Sequence, residues 1–476
     1  MKDEVYNLAF DFGASSGRLM LSKFDGEKIT IEEVYRFPNE PVKLGQSFYW
    51  DFLRLFHELK NGLKLVSKRK IKISSIGTDT WGVDYGLLDK NDQLISNPIH
   101  YRDQRTNGII KDVEKILPLE EIYNITGIQF MEFNTIFQLF CDLTRRPELL
   151  NNARALLFMP DLFNFYLTHE KYNEYTVAST SQMLDANKKD WGIDLIKKLN
   201  LPEGIFQKIL MPGNIIGYLT KEIQEETGLS NIPVISVGSH DTASAVAGTP
   251  IENGSSAYLI CGTWSLLGVE SEKPIINENT KKYNFTNEGG VEGLIRLLKN
   301  INGLWIIQQL KQSWNSNGIK IGFPEISQMA SKAEHEEFII NPDDKLFIAP
   351  DDMAEAIKQY CIKTGQGLPQ DIGDIARAAY NGIVEQYKNC LNNLEDIVGR
   401  EIDTIHMVGG GIQDKFLCKL TADVTGKKVI TGPVEASIYG NVIVQLMALG
   451  YIKDLKEGRK IIKNSIEGEK YFRLYY

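Results

Sequence analysis

The feature that most restricts what this chain can fold into is a pattern that occurs once in each half. The apolar run 5–11 stops at Phe12-Gly13-Ala14-Ser15-Ser16-Gly17-Arg18, and residues 19–24 resume it. Apolar runs joined by glycine and small polar residues predict a β-hairpin. Asp51 then opens a segment with Phe52, Leu55, Phe56, Leu59, Leu63 and Val66 at helical spacing, with Asp51 placed as its N-cap. Residues 73–78 form a β-rich run ending at Asp79. In the second half, residues 256–260 run into Cys261-Gly262-Thr263-Trp264-Ser265, and residues 266–269 follow as a second strand. A long helical stretch, 372–398, is stopped by Gly399, and the buried strand 405–408 ends in Gly409-Gly410-Gly411. The order hairpin, helix, strand in both halves predicts an α/β protein of two related domains facing each other. The expected join is 248–256, Gly-Thr-Pro-Ile-Glu-Asn-Gly-Ser-Ser, which is rich in turn formers.

Composition narrows the function. With 476 residues, 43% hydrophobic and 24% charged, the chain has the make-up of an ordinary folded protein, large enough for two big domains or three smaller ones. Lys and Arg number 53 against 62 Asp and Glu, a net charge of −9. That sign excludes a general nucleic-acid binder, which needs a positive field to meet phosphates. Five scattered cysteines with no CxxC argue against a disulfide scaffold or a zinc ribbon, and six histidines show no HExxH spacing. The start, Met1-Lys2-Asp3-Glu4 and an apolar run broken by Asp11, does not read as a signal peptide, and no run approaches 18 apolar residues. The expected setting is a reducing cytoplasm.

Several turns carry groups suited to phosphate and sugar chemistry. The glycine turn at 13–18 lets backbone N–H groups approach an anion, with Ser15 and Ser16 adding hydroxyls. Asp11, at the strand end before it, suits a magnesium ion held through water. Thr263, between Gly262 and Ser265, forms a second such turn, and two of them could close on a triphosphate. Three consecutive glycines at 409–411 weaken a chain unless something flat or anionic must lie against its backbone. No GxxxxGK[ST] is present, which disfavours a P-loop enzyme. Ser239-His240-Asp241-Thr242 follows the apolar run 234–237 and leads into an Ala-rich segment. Asp241 therefore sits between strand and helix, where it can be an N-cap, a carboxylate that takes a proton from a hydroxyl during phosphoryl transfer, or both. Thr78-Asp79-Thr80-Trp81-Gly82-Val83-Asp84 combines carboxylates with an aromatic, a set that suits a polyhydroxylated ligand.

In this order, Asp11–Arg18, Ser239–Thr242, Gly262–Ser265 and Gly409–Gly411 resemble the FGGY carbohydrate kinases, of the actin, hexokinase and heat-shock-70 superfamily. Further matching signatures are Asp79–Asp84, Tyr101-Arg102-Asp103-Gln104-Arg105-Thr106-Asn107, Thr286-Asn287-Glu288-Gly289-Gly290, Leu298–Trp305 and Gly432-Pro433-Val434-Glu435-Ala436-Ser437. The matches run from about residue 7 to about residue 450; one departure is Cys261, where the pattern has Ser. The resemblance implies two RNase-H-like domains around a central cleft. Residues 1–247 would carry sugar binding and the first phosphate hairpin, and 248–476 the second phosphate hairpin and the adenine site. It also implies ATP contacts from Ala14, Ser15, Ser16, Gly17, Arg18, Thr263, Gln308 and Gly410. Sugar contacts would come from Gly82, His240, Asp241, Thr242 and Asn300, with Asp241 as the base and magnesium as counter-ion. The implied acceptor is the 1-hydroxyl of a ketose such as L-rhamnulose, with L-fuculose or L-xylulose as alternatives. A nucleotide sensor or chaperone-type ATPase on the same fold is the reading from another class.

Overall fold

The computed structural model describes residues 4–252, 254–347 and 350–473; Met1–Asp3, and Asn253 in the expected join, lie outside the described residues. By packing, the chain forms two compact units. Unit 1 comprises Met1–Gly248, Glu270–Leu297 and Ala436–Ser465; unit 2 comprises Thr249–Val269, Leu298–Glu435 and Ile466–Tyr476. The units are therefore not two halves of the chain at a single cut, because two later segments return to unit 1.

Unit 1 is built on a six-stranded sheet. Val5–Phe12, Ser16–Phe24 and Ile29–Pro38 form an antiparallel meander. On the other side of Val5–Phe12 the strand Ile73–Thr80 is parallel, and Pro233–Ser236 is parallel to that in turn. The first strands are nearly continuous apolar runs because both faces are covered. The helix Phe52–Ser67 covers one face with Phe52, Leu55, Leu59, Leu63 and Val66, all buried. Its N-cap is Asp51, whose side chain accepts the Arg54 N–H at 3.2 Å, as the spacing predicts.

The other face takes the helix Ala436–Ala448, which also packs on the short helix Asp241–Ala247. The approach is close because both helices present glycine. A Cβ on Gly440 would stand 1.7 Å from the Ser244 carbonyl oxygen, and one on Gly248 would stand 2.0 Å from that of Ala436. Backbone therefore packs on backbone where these helices meet.

A second, seven-stranded sheet follows the order Thr286–Gly289, Ile295–Asn302, Trp264–Ser271, Ser256–Cys261, Thr404–Val408, Lys428–Thr431 and Lys470–Tyr471. Ser256–Cys261 pairs antiparallel with Trp264–Ser271 and parallel with Thr404–Val408, which is parallel to Lys428–Thr431. A hairpin followed by two parallel strands thus occurs in both units. The helix Ile372–Val398 runs for 27 residues from its N-cap Asp371 to Gly399, which takes φ 65°. Its Tyr387 hydroxyl meets Ser265 Oγ at 2.6 Å, tying the helix to the second hairpin. No helix among the described residues is long and apolar enough to cross a membrane.

The Gly440 contact leaves no room for a methyl group against backbone atoms. Gly440→Ala should lower stability by about 2–3 kcal/mol, read as a lower urea midpoint, or prevent folding. A midpoint equal to wild type would show that the two helices can separate freely.

Candidate active site

The first turn of unit 1 is held open by its own backbone and by one side chain that sequence reasoning passed over. Gly13 N–H donates to Ser16 O at 2.9 Å. Asn39, buried, receives nothing from the turn but donates to it twice: Nδ2 to Gly13 O at 2.8 Å and backbone N–H to Ser15 O at 3.0 Å. Ala14 and Ser15 stay exposed at the tip. Gly17 must be glycine, since a Cβ there would meet the Phe37 ring at 2.3 Å. Arg18 turns back onto Asp11, its Nη2 lying 2.7 Å from Oδ2.

Behind this turn three carboxylates gather. Asp11 and Asp79 are register partners across the parallel strands. The helix Ala436–Ala448 faces them with a polar stripe at four-residue spacing, Ser437, Asn441 and Gln445. Ser437 Oγ donates to Asp11 Oδ2 at 3.0 Å, and Asn441 Nδ2 to Asp79 Oδ2 at 2.6 Å. Gln445 Nε2 donates to Asn441 Oδ1 at 2.7 Å and to Leu8 O at 3.0 Å. Gly77 makes room for this stripe, because a Cβ there would meet Asn441 Oδ1 at 2.5 Å. Asp79 is fully buried and its Oδ1 lacks a hydrogen-bond partner. Burial, then the negative charge of Asp11, pushes its carboxyl well above the usual range, with Asp241 adding to the effect. Among the described residues no group of three or more His, Cys, Asp or Glu is arranged to hold a metal.

Asp241 is the first residue of the helix Asp241–Ala247, so it is not the N-cap; His240 occupies that position without a capping hydrogen bond. Its Oδ1 accepts the Thr242 N–H at 2.5 Å and the Thr242 hydroxyl at 3.1 Å. Burial and the charge of Asp11 push its pKa up to about 7, although 34% of the side chain remains open and tempers that effect. His240 Nε2 lies 3.4 Å from Asp241 Oδ1. The backbone at His240 is held from two sides. Thr80 N–H donates to Ser239 O at 2.9 Å, and the His240 backbone N–H donates to Thr176 Oγ1 at 3.2 Å. A Cβ on Gly82 would stand 3.2 Å from Nε2. Unit 1 thus brings Asp11, Gly82, His240, Asp241 and Thr242 into one neighbourhood. It also adds two buried groups that sequence reasoning missed, Glu288 and Arg296, which lie against His240 Nδ1.

Trp81 and Asp84 of the 78–84 segment are packed into the core. Trp81 is only 5% exposed, with its ring centroid 3.9 Å from that of Trp50. Asp84 is fully buried and accepts from Trp50 Nε1 at 2.6 Å, Trp81 Nε1 at 3.1 Å, Tyr101 N at 3.1 Å and Gln138 Nε2 at 3.0 Å. These donors leave it no role as an open sugar-binding carboxylate; it is a buried anchor, with Gly82 the member of the turn beside His240.

In unit 2 the second turn, Gly262–Thr263, is braced by backbone: Leu304 N–H donates to Gly262 O at 3.3 Å and Trp305 N–H to Thr263 O at 3.0 Å. Thr263 is exposed, and its Oγ1 lies 3.4 Å from Gln308 Nε2. The triple glycine packs onto the same turn. Gly409 takes φ 88°, where a Cβ would also meet Cys261 O at 2.8 Å; one on Gly411 would meet Cys261 Cβ at 2.6 Å. Gly410, exposed, has open space around it. Close by in sequence, the helix Trp305–Ser316 lines an open hollow of about 520 Å³ with Gln308, Lys311 and Asn315, and Phe323 forms part of its wall. Asn300 is half-buried on the strand Ile295–Asn302.

Both halves of the chain match models of one family. Residues 6–248 match the N-terminal domain of the FGGY family of carbohydrate kinases, and residues 257–449 its C-terminal domain. The chain belongs to the FGGY family of carbohydrate kinases. It is 42% identical over 458 residues to a rhamnulokinase of Bacteroides thetaiotaomicron, covering 96% of this chain and 94% of the relative. It is 41% identical to a rhamnulokinase of Oceanobacillus iheyensis, covering 97% of each. In fold it is similar to the xylulose kinase of Lactobacillus acidophilus, with a TM-score of 0.83 at 17% identity over 98% of this chain and 94% of the other. It is also similar to Plasmodium falciparum glycerol kinase solved with ADP, with a TM-score of 0.81, again at 17% identity and with the same coverage. This carbohydrate kinase accordingly has the actin- and hexokinase-like fold, and a sensor or chaperone-type ATPase is not favoured.

The glycines at 409 and 410 separate backbone need from surface need. Gly409→Ala should destabilise the protein by about 1–3 kcal/mol in urea titration, through its positive φ and the Cys261 carbonyl. Gly410→Ala should unfold at the wild-type midpoint. Equal losses in both variants would contradict this division.

Proposed function

We propose that this kinase transfers the γ-phosphoryl group of ATP to the 1-hydroxyl of L-rhamnulose, giving L-rhamnulose 1-phosphate. The choice of sugar is supported by rhamnulokinases at 39–42% identity over nearly the whole chain. The observation that carries the mechanism is Asp241: a carboxylate with its proton affinity raised to about 7, part open, and next to His240 and Gly82. A base with that affinity is mostly ionised just above neutrality and still takes a proton readily.

Asp241 accepts the proton of the hydroxyl as its oxygen attacks the γ-phosphorus, and ADP leaves. Gly82, His240 and Thr242 hold the ketose, with Asn300 as a further ketose contact. For the nucleotide, the exposed backbone of Ala14–Ser16 offers N–H groups, with Gly17 and Arg18 completing the turn. Thr263, Gln308 and the bare backbone at Gly410 meet ATP, and the hollow lined by Gln308, Gln312 and Asn315 has the amides that suit a nucleobase. Catalysis in this scheme is positioning and electrostatics. Magnesium would be held near Asp11 through water, since magnesium keeps much of its hydration, with the buried, partnerless Oδ1 of neighbouring Asp79 as a further acceptor for that shell. When bound, the ion supplies charge neutralisation of the phosphates.

Mass spectrometry of an incubation with ATP, magnesium and L-rhamnulose should show the 1-phosphate, with L-fuculose and L-xylulose at least tenfold slower; a faster rival would reassign the sugar. Asp241→Asn should lose about 10²–10⁴ in kcat while still binding the ketose. Because protonation removes the base, wild-type kcat/KM should fall about tenfold per pH unit below about 7 and level off above it. Near-normal turnover in Asp241→Asn, or a flat profile between pH 5 and 8, would remove Asp241 from the role. Gly410→Ala should raise KM for ATP and leave KM for the ketose alone.

A further inference from the structure

Arg296 is fully buried, on the strand Ile295–Asn302, and is held by one carboxylate and one carbonyl, while its Nη1 has no hydrogen-bond partner. Nη2 lies 3.0 Å from Glu288 Oε2, and Nε donates to Gly289 O at 2.8 Å. Gly289 is itself fixed, its N–H donating to Ser179 Oγ at 2.7 Å. The same Nη2 also faces His240 Nδ1 at 3.2 Å. A guanidinium has only donors and does not give up its proton in a protein. The ring nitrogen in front of it must therefore be the one with the lone pair. The Glu288 oxygen, at 3.6 Å from Nδ1, is too far to take a proton from it instead.

We propose that Arg296, anchored by Glu288, is a positioning residue that fixes His240 as the neutral tautomer with its proton on Nε2. Nε2 is the ring nitrogen nearer to Asp241 and Gly82. It lies 3.4 Å from Asp241 Oδ1 and beside the space that a side chain on Gly82 would fill. In this tautomer Nε2 can donate to a ligand oxygen beside Asp241 and is never an acceptor competing for the hydroxyl proton. That leaves Asp241 as the sole proton acceptor for the hydroxyl. Burial and the Arg296 charge also hold the ring well below its usual pKa, so it stays neutral. The same logic orients the histidines of other catalytic sites, where the partner of one ring nitrogen determines what the other can do.

This inference rests on the reading of Asp241 as the base, but its first test needs no substrate. In protein labelled with ¹⁵N-histidine, the signals absent from His240→Gln identify His240. They should show a pyridine-type Nδ1 and a pyrrole-type Nε2. A protonated Nδ1 in the wild-type protein overturns the proposal without recourse to any Arg296 variant. Arg296→Met should lose the single tautomer and lower kcat about 10–100-fold, with KM for ATP within twofold of wild type. Arg296→Lys, which keeps a buried donor cation, should restore part of both. Wild-type kcat in Arg296→Met would also overturn it. Failure to phosphorylate L-rhamnulose would instead count against the substrate reading and would leave the nitrogen signals unchanged.

Discussion

Like charge held at close quarters is the constraint around which unit 1 is arranged. Asp11 and Asp79 are brought side by side by the register of two parallel strands, and Asp241 enters from the loop that follows a third. Left alone, three carboxylates in a poorly hydrated place would repel and shed their charge. The chain answers with Arg18 and Ser437 on Asp11, Asn441 on Asp79, and Thr242 on Asp241. The compensation is unequal, and that inequality is useful. Asp79, sealed under the helix Ala436–Ala448, is driven towards its protonated form, while Asp241, part open, is left poised near neutrality. Surroundings alone thus push two neighbouring carboxylates to different proton affinities.

Unit 2 meets a different demand with almost no charged groups. Its turn at Gly262–Thr263 is shaped by backbone hydrogen bonds from residues 304 and 305 and by the packing of Gly409 and Gly411 on Cys261. Two of the three glycines are there for close approach, and the third, Gly410, leaves bare backbone exposed. Unit 1 braces its own turn with a side chain, Asn39, and unit 2 braces the corresponding turn with main chain. The related sheet order in the two units therefore does not impose the same local solution.

Much of this was legible from local sequence. The hairpins, the Asp51 cap, the helix ended by Gly399 and the strand-to-helix position of Asp241 follow from periodicity and turn chemistry within a few residues. Trp81 and Asp84 were misread because an aromatic beside carboxylates suits either a sugar site or a core, and only packing against Trp50 decides between them. Asn39, Glu288 and Arg296 left no local signal, since their partners lie far along the chain. Ser437, Asn441 and Gln445 did leave one: three polar residues at four-residue spacing on an otherwise apolar helix.

The sequence by itself determined which segments become strand, helix and turn, and placed Asp241 at the head of a helix, because those outcomes depend on neighbours within a turn or two. Tertiary structure alone decided how acidic Asp79 and Asp241 are and which group faces each ring nitrogen of His240. Those properties arise from burial and from charges on remote segments, Asp11 acting on Asp241 and Arg296 on His240, and the electrostatic field at a group depends on distance in space, not on separation along the chain.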